Sequence, residues 1–368
     1  MSIVTEEIEL QRDVKSAGTV SRAASQASPA TQSQHITGAN VAAVFTGGTI
    51  AISANKNTSV VPVLSGREIL ERVPEIRQYL PTMHVQVHDF ATLPGPHISP
   101  EMMLTLADFV HALAEHSDGI VITHGTDSME ECAYFLDLTI GDHVPIVFTG
   151  SMHPSTDAAW DGGRNLVDAL AVAASKEFRD MGTIVVMNGH IHAASEVTKM
   201  HTMRPDTFRS PDFGPLGTVN TLALDEPRRS RAPRNRVTVP LVSNDVELPY
   251  IELIKTYTGM DDMLFVAALK AGAMGIVVEA MGQGNVPPGV VNGIARAREM
   301  NIPIVITSRC ISGPVRPYYA YEGAGRELEK LGCVFAPYLN GQKARIKLMI
   351  ALAAGYSSDG LHALFSDS

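Results

Sequence analysis

Short runs that are apolar throughout alternate with helical stripes from Asn40 to the last twenty residues, and this rhythm constrains the fold most. The runs are "NVAAVFTG", "MHVQVHDF", "GIVITHG", "PIVFTG" and "TIVVMNGH" in the first half. Between them, "SPEMMLTLADFVHALAEH" sets Met103, Leu106, Ala107, Val110 and Leu113 on one helical face, with Ser99 as N-cap and Pro100 in the first turn. "GRNLVDALAVAASKEF" reads as a second helix. Strands with no polar face, separated by helices, imply a mainly parallel sheet covered on both sides. The rhythm breaks over "FGPLGTVNTLALDEPRRSRAPRNRVTVP", rich in Pro, Gly and Arg, which reads as a hairpin or crossover plus linker. It then restarts with strands "ELPYIELIKTY", "MGIVVEAMG" and "IPIVITSR" and with helices near "DDMLFVAALKAG", "VVNGIARAREM" and "QKARIKLMIALAAG".

The expected organisation is two α/β domains. Residues 1–37 form an extension too polar to fold alone, 38–217 a larger domain, 218–243 a linker and 244–368 a smaller domain. The charge balance of −10 disfavours phosphate backbones, so nucleic acid is excluded as a general partner. No apolar run is long enough to span a membrane, and the charged N-terminus lacks an export signal, which gives a cytoplasmic expectation. Cys132, Cys310 and Cys333 are an odd, scattered set and read as free thiols. His190 and His192 have no evident third ligand, so no metal and no other cofactor is expected.

In an open α/β sheet ligands gather beyond the carboxyl ends of the strands. "FTGGTIA" places Thr49 after Gly47 and Gly48, but it lacks the lysine of a phosphate loop and the third glycine of a dinucleotide loop. Taken alone it reads as a turn. "HGTDSMEE" follows another strand. There Asp127 and Glu130 have the spacing of a capping box, and Thr126 with Asp127 sits at a helix start that favours anions. "GSMHPSTDAAWDGG" follows a third strand, and "EVTKMHT" carries Lys199, which in isolation reads as a solvent-facing lysine. "MGQGNVPPG" reads as a turn beside an interdomain cleft, and Trp160 as packing.

Together "TGGTIA", "HGTDSMEECAYFLDLT", "GSMHPSTDAAWDG", "EVTKMHT" and "FRSPDFGPLG" resemble the bacterial-type L-asparaginase family, with support from "GQGNVP" and "SRCISGPV". The likeness runs over nearly all of residues 40–355. It implies a two-domain α/β fold and a cofactor-free amidohydrolase that converts L-asparagine and water to aspartate and ammonia. It also implies a homotetramer whose sites lie between the large domain of one subunit and the small domain of its neighbour. By the same resemblance Thr49 is the acylating nucleophile, and Thr126, Asp127 and Lys199 form a second triad. Asp127 also takes the substrate ammonium, and Gly48, Gly125 and Thr126 border the reacting carbonyl. The Ser151 carbonyl orients the carboxamide.

Two departures stand out. Many relatives carry a tyrosine on the lid after the first threonine, whereas "ISANKNTSVVPVLSG" has none. Tyr318, Tyr319 or Tyr321 of a neighbouring subunit are candidates to replace it. Where the family has a serine for the substrate carboxylate, this chain has Gly95, followed by Pro96. Gly95 keeps a backbone N–H but loses a hydroxyl, with His97 or Ser99 as possible substitutes. These departures keep open another substrate, such as glutamine, a D-amino acid amide, another amide or a lactam. A non-catalytic binding protein is the remaining alternative. A tRNA-amidotransferase subunit shares the fold, but it is expected to need a larger N-terminal domain than the 37-residue extension.

Overall fold

The protein is described by a computed structural model covering residues 4–9, 38–53, 63–140, 144–220, 223–224, 227–228, 237 and 246–366. The strands are β1 (Val4–Glu9), β2 (Asn40–Gly47), β3 (His84–Leu93), β4 (Gly119–Thr123), β5 (Ile146–Thr149), β6 (Thr183–Met187), β7 (His190–Ala193), β8 (Thr198–Lys199), β9 (Phe208–Arg209), β10 (Gly217–Asn220) and β11 (Ala223–Leu224) in the first half. The second half adds β12 (Ile251–Lys255), β13 (Gly275–Ala280), β14 (Ile304–Ser308) and β15 (Val334–Phe335). Helices α1 (Gly66–Glu71), α2 (Glu75–Tyr79), α3 (Pro100–Ala114), α4 (Met129–Thr139) and α5 (Gly162–Ala174) belong to the first half. They are followed by α6 (Met263–Lys270), α7 (Pro288–Glu299), α8 (Gly325–Lys330), α9 (Gly341–Ala353) and α10 (Ser358–Phe365).

Nine strands form one sheet in the order β1-β3-β2-β4-β5-β6-β7-β10-β11. The five from β3 to β6 are parallel, as their unbroken apolar runs require, because helices cover both faces. Antiparallel strands flank this block. Residues 4–9, inside the stretch read as an extension, pair with β3 as β1, and the rest of that stretch up to residue 37 lies outside the described residues. At the other edge the expected hairpin is present, Val219 opposite Leu224. A second sheet, β12-β13-β14-β15, is parallel throughout.

The chain leaves β2 toward β3 on one side and later places β4 on the other. The strand order therefore reverses between β2 and β4, and a crevice opens beyond their carboxyl ends. Helix α9 packs against α4 on one side and against β12, β13 and β14 on the other, so it joins the two halves. Ser99 accepts from the Met102 amide and caps α3 as expected. The capping box expected at Asp127 and Glu130 does not form. Ser128 occupies the N-cap of α4 without a side-chain cap bond, and its hydroxyl instead donates to the Gly95 carbonyl at 2.7 Å. Glu130 points to α9. The reason is tertiary: a carboxylate surrounded by donors from another helix gains more than from one amide of its own.

Candidate active site

Strand β2 ends in a bulge at Gly47 and turns through Gly48 into the 3-10 turn Thr49–Ala51. Gly48 has φ of 80° and ψ of −175°, and a β-carbon there would stand 2.6 Å from the Gly125 backbone. A β-carbon on Gly125 would in turn meet the Gly95 amide nitrogen at 2.7 Å. The three glycine loops after β2, β3 and β4 are thus stacked at backbone contact, which side chains would prevent. This stacking brings Thr49, Gly95, Pro96, Thr126 and Asp127 to one cleft of about 430 Å³. Ile52, Val63, Met152, Lys199 and Thr202 complete much of its wall.

Thr126 and Asp127 follow β4, and Lys199 closes the two-stranded β8–β9 ribbon. The Lys199 ammonium donates to Thr126 Oγ1 at 2.8 Å and to Asp127 Oδ1 at 2.6 Å. Thr126 is buried, Lys199 half-buried and Asp127 largely exposed, so the carboxylate faces the opening while the ammonium backs the hydroxyl. Thr49 lines the same cleft, and its hydroxyl has no hydrogen-bond partner among the described residues.

Ser151 is buried, and its hydroxyl lies within donating reach of both Asp161 Oδ1, at 2.8 Å, and the His153 carbonyl, its one proton serving one acceptor at a time, so its side chain is committed away from the cleft. Asp161 also accepts from the amides of Met152 and His153 and from Asn165 Nδ2, at 2.9–3.1 Å. That carboxylate shapes the whole 151–153 turn. Its tertiary role left no pattern in the sequence, where "STDAAWDGG" shows only turn composition.

The lid after Thr49 is pinned at its neck: Ile52 bridges Val63, and Ile52 O accepts from Ser155 N at 3.1 Å and Ser155 Oγ at 2.9 Å. Residues 54–62 of that segment lie outside the described residues. Gly95, expected to offer an N–H, has little room on its side-chain face, where a β-carbon would meet Ser128 Oγ at 3.0 Å. Tyr318, Tyr319 and Tyr321 form an exposed aromatic group and do not line this chain's own cleft.

His124 lies beneath the Gly125 loop, fully buried, with Nδ1 2.9 Å from the Gly125 carbonyl. Burial pushes its pKa down to about 4, with the bond to Gly125 opposing, so the ring is neutral at neutral pH. His190 and His192 stack at 6.0 Å, and His192 is bonded to Ser210 Oγ at 2.9 Å. Among the described residues no group of three or more His, Cys, Asp or Glu is placed to hold a metal ion. The three cysteines are free, Cys132 and Cys333 buried and Cys310 exposed.

The fold and the cleft define a two-domain α/β protein with hydroxyl, ammonium and carboxylate groups gathered at the strand-order reversal. The asparaginase N-terminal family profile matches residues 40–229, and the glutaminase/asparaginase C-terminal domain profile matches 250–365. The chain therefore belongs to the asparaginase family, as the sequence resemblance implied. It is 35% identical over 327 residues to a probable L-asparaginase of Deinococcus radiodurans, covering 89% of this chain and 97% of that protein. It is 33% identical over 331 residues to L-asparaginase 2 of Escherichia coli, covering 89% and 92%. A solved structure of a probable cytoplasmic L-asparaginase from Campylobacter jejuni superposes with a TM-score of 0.80 at 32% identity, covering 90% of this chain and all of that one. A similar protein of Haemophilus influenzae, 33% identical over 332 residues and covering 89% of this chain and 93% of itself, is named as periplasmic.

Proposed function

We propose that this chain hydrolyses L-asparagine to L-aspartate and ammonia through an acyl-threonine intermediate. The observation that carries the reading is the Lys199 ammonium held between Thr126 Oγ1 and Asp127 Oδ1 in a cleft that Thr49 shares. Thr49 Oγ1 attacks the carboxamide carbon, the C–N bond breaks and ammonia leaves with the transferred proton. A water beside Thr126 then attacks the ester and releases aspartate. The Thr49 and Thr126 amides stabilise the developing oxyanion, the Ser151 carbonyl receives the carboxamide N–H, and Asp127, open to solvent, receives the α-ammonium. The Gly95 amide, beside Pro96, meets the α-carboxylate, and Gly48 and Gly125 leave room for the side-chain amide.

A hydroxyl nucleophile needs a proton acceptor, and the lid offers no tyrosine. In the proposed homotetramer, Tyr318, Tyr319 or Tyr321 of a neighbouring copy supplies that group; their exposure supports this. The assembly acts in the cytoplasm, in line with the name of the Campylobacter relative.

Ammonia release from purified protein tests the reading. Thr49→Ala and Thr126→Ala should each lose turnover by about a thousandfold or more while remaining folded. Near-wild-type turnover in either removes that threonine from the mechanism. A second reading, the same chemistry on another amide, is favoured by Gly95, which carries no hydroxyl of its own, while the nearby Ser128 hydroxyl is spent on the Gly95 carbonyl. A panel of asparagine, glutamine, their D-forms and simple amides decides between the two.

A further inference from the structure

Lys343 is buried to 1% exposure at the start of α9, in the other half of the molecule. Its ammonium donates to the carbonyls of Val197 and, at 3.4 Å, Ser195, and lies 3.8 Å from Glu130 Oε2. Glu130 also accepts from Thr198 Oγ1 at 3.2 Å, Asn340 Nδ2 at 3.0 Å and Gln342 Nε2 at 3.2 Å. Val197 and Thr198 immediately precede Lys199, and Glu130 lies one turn beyond Asp127. The first turn of α9 therefore grips both arms that carry the Lys199–Asp127–Thr126 contact.

We infer that Lys343 is a positioning residue for the reaction, reaching across the domain boundary to fix the backbone that presents Lys199 to Thr126. The inference rests on the catalytic reading of Lys199 given above. Stability alone does not call for a cation here. Burying an ammonium costs several kcal/mol before pairing, and an apolar side chain of similar volume often does as well. What an apolar side chain cannot do is hold two carbonyls and a carboxylate at fixed distances. Burial lowers the Lys343 pKa to about 8, against the pull of Glu130, Glu196, Asp137 and Glu131, so the ammonium persists at neutral pH. The Val197 and Ser195 carbonyls and the Glu130 carboxylate would each lose this donor if the charge were removed. The β8–β9 ribbon pairs over two residues only, so by itself it does little to fix Lys199, and the contacts from α9 supply the missing restraint.

The test is steady-state kinetics on asparagine, with thermal melting, for Lys199→Met, Lys343→Met and Thr198→Val in the full chain. Lys343→Met should stay folded and lose kcat by about tenfold to a hundredfold with KM within about threefold, the signature of a misplaced group. A folded Lys343→Met with wild-type kcat, or with a change in KM only, overturns the inference. Should Lys343→Met not fold, Thr198→Val decides, since it removes one hydroxyl beside Lys199. A loss of kcat of about threefold or more at an unshifted melting point supports the clamp, and wild-type kcat overturns it. Wild-type kcat in Lys199→Met would instead sink the catalytic reading of Lys199 and the inference with it. An inactive Lys199→Met beside an active Lys343→Met would sink the clamp alone.

Discussion

Gly48 is the residue on which the cleft geometry turns, because its backbone sits where an L side chain is strained and touches Gly125. Gly48→Ala should cost about 1–3 kcal/mol through left-handed strain alone and more through the clash at 2.6 Å. The measurable result is a lowered melting point together with a fall in kcat; an unchanged kcat would separate the glycine stack from catalysis. Gly95 allows a second residue-scale prediction. Gly95→Ser alone crowds Ser128, whereas Gly95→Ser with Ser128→Ala has space for the hydroxyl. If that hydroxyl reaches the substrate carboxylate, the double variant should lower KM for asparagine by about tenfold, matching about 1.5 kcal/mol for a bond to a charged group. An unchanged KM would place the carboxylate elsewhere. Lys199 shows why the residue scale was only partly legible. It lies 73 positions from Thr126, so no periodicity joins them, and only the combined motifs of a family resemblance singled it out.

At the scale of elements, the parallel strands were the most readable part of the chain. The run from Asn40 to Gly47 coincides with β2, because an unbroken apolar stretch ending in two glycines has few other ways to be buried. Helix α10 was missed: it is short, follows Gly355 and buries only Leu361, Leu364 and Phe365. The start of α4 misled for a different reason, since the D-x-x-E spacing is a local signal and Glu130 answers to a distant helix. The turn after β5 gives the element-scale prediction. Asp161 accepts from Ser151, Met152, His153 and Asn165, and an amide in its place turns one acceptor into a donor. Asp161→Asn should lose about 1.5–3 kcal/mol in denaturant midpoint analysis and raise KM, as the turn bearing Ser151 shifts. Unchanged KM with lowered stability would confine the carboxylate to a folding role.

The whole molecule buries His88, His124 and His192 in the larger domain, burial lowers the pKa of all three, and this sets its response to acid. His124 is held down to about 4 and His192 to about 3, in both cases mainly by burial, with the neighbouring His190 charge next for His192. Their ordinary value is 6.5, so above that pH both rings are neutral in folded and unfolded chains alike and acid sensitivity is absent. Between pH 6.5 and about 4 the unfolded chain takes up protons that the folded chain refuses, and stability falls as pH falls. Each group contributes on the order of 1.4 kcal/mol per pH unit inside that window. Urea unfolding midpoints should accordingly hold above pH 6.5 and drop steeply from there to about pH 5, and His124→Gln, which keeps a donor for the Gly125 carbonyl without a titrating ring, should flatten the drop. Identical slopes in the variant and the parent would show that His124 is already protonated in the folded state, or is hydrated there. Turnover per folded molecule should survive the same pH range better than stability does, because the ring supports the Gly125 loop only while it stays uncharged in the native state.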